Sequence, residues 1–123
     1  MGILDPFRRF FHRMAESDER RLAHEIQTWA GSVPGSVRIA EAPSRDRVKL
    51  AGVVKRITVH PEHGLEALEA LLTDGTGEMW VVWMGRRSIP GLTLGTHLVV
   101  EGVVGDRRKG SRRMVNPSFE FSS

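Results

Sequence analysis

The sequence predicts a mainly β protein: a small barrel of five short strands preceded by an N-terminal helical extension. Two patterns and one turn carry this expectation. From Val48 to the C-terminus, β-branched and other apolar residues come in five short runs, and no connection between them has room for more than a turn of helix. Before Val48, apolar residues recur at helical spacing instead. The turn is Asp74-Gly75-Thr76-Gly77, set between two of the β runs. Asp-Gly between strand-like sequences is a strong hairpin signal, because glycine accepts positive φ without steric cost.

Taken in order, Asp5-Pro6 offers a capping residue and a proline at the first helical position. Phe7, Phe10, Phe11 and Met14 then fall on one helical face. Ser17 or Asp18 can cap a second helix running to about Trp29, with Leu22, Ala23, Ile26 and Trp29 as its apolar stripe. Gly31–Gly35 stops it, Val37–Ala42 reads as an extended segment, and Pro43–Arg47 reads as a polar linker. The chain thus divides into a helical extension with linker over 1–47 and a β domain over 48–123. In the β domain, run one is Val48–Val59, with Gly52 marking a bulge or sharp bend. Pro61-Glu62-His63-Gly64 turns the chain. Run two is Leu65–Thr73; its leucines and alanines would suit a helix, and its neighbours make it a strand. Run three is Glu78–Met84, and Gly85–Thr96 crosses over. Run four is Leu98–Val104, Gly105–Gly110 turns, and run five is Arg112–Phe121.

With 123 residues, 40% hydrophobic and 27% charged, the chain can bury one real core and reads as globular and soluble. A formal net charge of +3 permits a polyanionic partner without demanding one, so the distribution of charge matters more than its sum. Cysteine is absent, which excludes disulfides, thiol nucleophiles and Cys-ligated zinc together. No apolar run approaches the roughly 18 residues of a membrane span. Asp5, Pro6, Arg8, Arg9, His12 and Arg13 interrupt any signal-peptide core. A cytoplasmic protein is the expectation.

Rings and cations gather in the β part. Run three carries Trp80 and Trp83 and is followed by Arg86-Arg87, while Lys55 and Arg56 lie in run one. Arg107, Arg108, Lys109, Arg112 and Arg113 crowd the last turn, with only Asp106 beside them. Ring faces beside cations are what a nucleic-acid single strand requires, for base stacking and for phosphate contact. Alternation along run three puts Met79, Val81 and Trp83 on one side and Trp80, Val82 and Met84 on the other.

Four segments in this order resemble an OB-fold nucleic-acid-binding domain over about residues 48–119. They are Leu50-Ala51-Gly52-Val53-Val54; the Asp74–Gly77 turn with Met79, Val81 and Trp83 after it; Leu94-Gly95 ahead of Leu98–Val104; and Met114-Val115-Asn116-Pro117. They look like the anticodon-binding OB domains and the wedge OB domain of RecG-type fork helicases. In size and layout the chain is similar to small stand-alone OB-fold proteins of actinobacteria. The resemblance implies a five-stranded Greek-key barrel with the Met79 set inside and Trp80 on the outer, ligand-facing side. It implies a nucleic-acid partner, single-stranded or junction DNA or RNA, held by Trp80 and by Arg107, Arg108, Lys109, Arg112 and Arg113. Lys55, Arg56, Arg86 and Arg87 would extend the cationic track. The chain lacks a Gly-x-x-x-x-Gly-Lys-Ser/Thr loop and a synthetase catalytic region, so of those relatives only the binding module is expected here.

No enzyme constellation emerges. Asp74 lies in a glycine-rich turn, where its carboxylate caps backbone, and the serines lack a nucleophile-elbow context. His60 and His63 flank a turn with Glu62 between them, but a metal needs a third ligand and a rigid frame, so neither metal nor cofactor is expected. The competing reading of Trp80 is burial under the N-terminal helices, which have Phe7, Phe10, Phe11 and Trp29 to place. The competing reading of the chain is a protein-interaction or regulatory module whose helices recruit a partner or a second copy. The same stripe, with Arg8, Arg9 and Arg13 opposite, also fits a surface-seeking amphipathic helix.

Overall fold

The computed structural model describes residues 5–108 and 111–122, with side chains for 18–105 and 111–122. It opens with one continuous helix, α1 (Asp5–Ser32), where two are expected. Ser17 and Asp18 are start signals, and between Pro6 and Gly31 no proline or glycine stops a helix already running. The Phe7, Phe10, Phe11 and Met14 stripe lies outside the described side chains. Of the second stripe only the end is used. Leu22 is exposed, whereas Ala30, Trp29 and the following Val33 pack on Ala51 and Val99. The edge of the Trp29 ring meets His97 at 4.5 Å between centroids. Near the N-terminal side of this contact α1 passes so close to Gly75 (φ +86°) that a Cβ there would lie 2.8 Å from the Ala23 carbonyl oxygen. Glycine is required both by the backbone angle and by the approach.

Val37–Ala42 is not extended: Ile39–Glu41 form a 3-10 turn. Ile39 is fully buried and, with Ala42, belongs to the main core. Local propensity loses to anchoring at both ends. The Ile39 N–H donates to Asp74 Oδ2 at 2.9 Å and the Ala40 N–H to Thr76 Oγ1 at 3.2 Å. From the other side the Arg112 guanidinium donates to the Ala42 carbonyl at 2.6 Å and to the Ile39 carbonyl.

Six strands follow: β1 (Arg47–Glu62), β2 (Leu65–Thr73), β3 (Glu78–Met84), β4 (His97–Arg108), β5 (Ser111–Val115) and β6 (Ser118–Phe121). The first five close on themselves in the order β1-β2-β3-β5-β4-β1, all antiparallel except the β3–β5 pair, and β6 adds to β4. This is the OB-fold topology. Leu50, Val54, Leu68, Leu72, Met79, Val81, Trp83, Leu98, Val100 and Met114 fill the interior, so the Met79 set faces inward as expected. Among the described residues no helix is long and apolar enough to cross a membrane.

Three boundaries differ from the expectation. β1 runs on to Glu62, and the turn is His63-Gly64 alone, with φ of 51° and 78°, the pair of left-handed residues of a tight hairpin. Pro61 is tolerated in the strand because β1 pairs on one side only beyond Val53. Of the two readings of Gly52 the bend holds, since β1 passes there from β4 to β2, and the bulge of β1 falls further on, between Val54 and Arg56. The fifth run splits at Asn116-Pro117, where Asn116 takes φ 50° and Pro117 has no N–H to donate, giving β5 and β6. β4 continues through Gly105 to Arg108, which pairs with Ser111. Lys109 and Gly110 lie outside the described residues.

Candidate nucleic-acid interface

Strand register assembles the outer face of β2 and β3. Arg56, Leu71, Trp80 and Arg113 stand opposite one another on β1, β2, β3 and β5, giving one row in the order cation, leucine, indole, cation. The next row toward the β1–β2 turn holds Thr58, Glu69, Val82 and Val115. Side chains directly opposite or diagonal across neighbouring strands are within reach of one another. The described part of α1 packs on Ala51 and Val99, away from this face, and Trp80 stays partly exposed.

Trp80 is shared by two grooves of different character. One, of about 500 Å³, has Lys55, Arg56, Glu78 and Arg112 in its walls. Lys55 Nζ reaches Glu78 Oε2 at 2.9 Å with both side chains about half exposed, a pairing that water screens. Arg56 is exposed and has no ion pair among the described residues. Three cations face one carboxylate, although Arg112 spends two of its donors on the Ile39 and Ala42 carbonyls.

The second groove, of about 520 Å³, is lined on the other side of Trp80 by His60, Glu62, His63, Glu69 and Arg113. Arg113 Nη2 lies 3.0 Å from Glu62 Oε1, with the side chains only 17% and 7% exposed. Glu62 ends β1, and β2 and β3 separate that strand from β5 in the sheet, so this pair ties the hairpin to the far side of the groove. His60 Nε2 lies 2.9 Å from Glu69 Oε1, and its Nδ1 lies 3.1 Å from the Pro61 carbonyl.

Both ring nitrogens of His60 therefore face acceptors, an arrangement that only the doubly protonated imidazolium satisfies. The Glu69 hydrogen bond, then that of Pro61, then the Glu69 charge hold its pKa above the ordinary 6.5; desolvation opposes them, and the Glu62 charge adds least. A raised value in the folded state means that this contribution to stability is complete below pH 6.5 and is lost as the pH climbs through the folded-state value. The Hε1 resonance of His60 should titrate above 6.5 and fall back toward it in Glu69→Gln; an unchanged midpoint in the variant would remove Glu69 as the cause.

The sequence-predicted site residues separate into groups. Trp80, Lys55, Arg56, Arg112 and Arg113 converge on the two grooves. Arg86 and Arg87 follow the far end of β3 and line neither groove; Arg87 Nε pairs with Glu66 Oε2 at 3.2 Å. The side chains of Arg107 and Arg108, and Lys109 altogether, lie outside the described residues. Glu69 is the residue that sequence reasoning passed over. The leucine-and-alanine content of run two hid the alternation that aims it outward. It also lies beside His60 and Glu62: ligand atoms of the three lie within 4.8 Å of one another. His63 is not among them. Each member of the trio already has a partner, His60 with Glu69 and Glu62 with Arg113.

The tRNA_anti-codon family model, described as an OB-fold nucleic acid binding domain, matches residues 48–121. No curated protein matches the chain.

Proposed function

The chain belongs to the OB-fold nucleic acid binding domain family, and we propose that it is a non-enzymatic member that binds single-stranded or junction DNA across β2 and β3. The observation that carries this reading is the partly buried Trp80, standing between Arg56 and Arg113 on one row of the face. A base stacks on the indole, and the groove of Lys55 and Arg56 takes the adjoining phosphates. Preference along most of the strand is weak, because a ring face accepts every base.

The test is a titration of fluorescein-labelled single-stranded DNA, single-stranded RNA and duplex DNA at two salt concentrations, with Trp80→Ala alongside. Saturable binding that weakens with salt is expected, strongest for single-stranded DNA. Loss of one stacked base costs about 1–3 kcal/mol, so Trp80→Ala should bind roughly ten to a hundred times more weakly. Equal affinity of the variant would remove the β2–β3 face as the contact, and no binding at low salt would remove the function.

A further inference from the structure

A groove made only to hold a phosphate backbone should be dominated by cations, as the Lys55–Arg56 groove is with its one carboxylate, Glu78. The side of Trp80 that faces the β1–β2 hairpin contains two, Glu62 and Glu69. Glu62 is neutralised by Arg113 across the groove. Glu69 differs: its Oε1 is shared with His60, while among the described residues its Oε2 has only a Thr58 hydroxyl at 3.5 Å, the outer limit of a hydrogen bond. A carboxylate offers about four lone-pair sites, so Glu69 keeps spare acceptor capacity, and it is one register step from Trp80 on the neighbouring strand. Acceptors beside a stacking ring repel phosphate and suit the donors on a base edge.

We infer that the Trp80 platform holds a base-reading position selective for guanine, with Glu69 accepting from the base and the Lys55–Arg56 side taking its phosphate. The inference rests on the nucleic-acid reading proposed above and adds to it a single position at which base identity counts. Guanine presents N1–H and the 2-amino group side by side, matching the lone pairs on the two Glu69 oxygens that His60 and Thr58 leave open. Cytosine and adenine present one amino group. Thymine and uracil present one N–H between two carbonyl oxygens, which a carboxylate repels. The His60 bond fixes the Glu69 side chain where it lines the groove beside Trp80, with Oε2 held only loosely by the Thr58 hydroxyl, so His60 is a positioning residue.

The experiment compares three labelled twelve-residue strands: all thymidine, the same with one central deoxyguanosine, and the same with one central deoxyinosine, which lacks the 2-amino group. The guanine strand should bind on the order of tenfold more tightly than the thymidine strand, and the inosine strand should give up most of that gain. Glu69→Gln should bring the guanine and thymidine strands to within about twofold while keeping the salt dependence of the thymidine strand. Equal binding of guanine and thymidine strands by the unaltered protein would overturn the inference while leaving the proposed function intact. Equal binding of guanine and inosine strands would overturn it too, as would a preference that survives in Glu69→Gln. If no strand binds, both readings fall.

Discussion

Replacement of Asp74 by Ala should lower the stability of the protein by about 3–5 kcal/mol, although it removes no apolar side chain from the barrel core. Asp74 is 3% exposed and its two oxygens work in different directions. Oδ1 accepts from the Thr76 N–H at 2.9 Å, the Thr76 hydroxyl at 2.6 Å and the Gly77 N–H at 3.3 Å, closing the β2–β3 turn. Oδ2 accepts from the Ile39 N–H, which starts the 3-10 turn and places Ile39 in the core. Alanine removes four hydrogen bonds to a charged acceptor and leaves a buried N–H without its partner. Asn should recover only part, since its NH₂ group cannot accept from either side. Urea unfolding of both variants checks this. A loss below about 1 kcal/mol for Asp74→Ala would mean that the 3-10 turn is held without it.

Gly52→Ala should cost about 2–4 kcal/mol, for steric reasons alone. Gly52 pairs with Leu98 of β4, and the next residue, Val53, pairs with both His97 of β4 and Thr73 of β2. It therefore sits where β1 passes from one neighbour to the other and the sheet turns its corner. A Cβ there would lie 2.7 Å from the Thr73 carbonyl oxygen and 2.8 Å from Leu72 Cγ. The carbonyl is backbone and cannot swing aside as a flexible side chain would. Gly31→Ala is the internal control: it lies in α1 with nothing within 4 Å of the added atom, so it should be neutral or stabilise by up to about 1 kcal/mol. Thermal or urea midpoints for the pair read both effects, and an equal response at the two sites would reject the corner argument.

Much of the fold is legible in the chain because its signals are local. The Asp74–Gly77 turn and the alternation of Glu78–Met84 require only neighbouring residues, and β3 runs over that span with Met79, Val81 and Trp83 inside. Signals fail where two local readings are equally good. Leu65–Thr73 has helical composition and becomes β2 only through pairing with β1 on one side and β3 on the other. Ser17-Asp18 resembles a cap and lies within α1, because a capping residue permits a start but does not compel a stop. At the candidate site, Trp80 and the paired cations are readable as types. Their employment is not: Arg112 holds the Ile39 and Ala42 carbonyls, and Arg113 holds Glu62.

The sequence by itself determined the β class, the turn between β2 and β3, and the division of β3 into two alternating sets. Each follows from residue type and from a spacing of one to four positions, whereas the inward set and the outward Trp80 came from the resemblance to OB-fold domains. Only the tertiary structure decided which charges remain available at the Trp80 face. It brought Glu69, 11 residues from Trp80 in the chain, to the next register step across one hairpin, and brought Glu62 at the end of β1 against Arg113 on β5. The physical reason is that a closed sheet brings residues far apart in the chain, such as Glu62 and Arg113, to within 3.0 Å of one another. A charge acquires its role from the group it meets there.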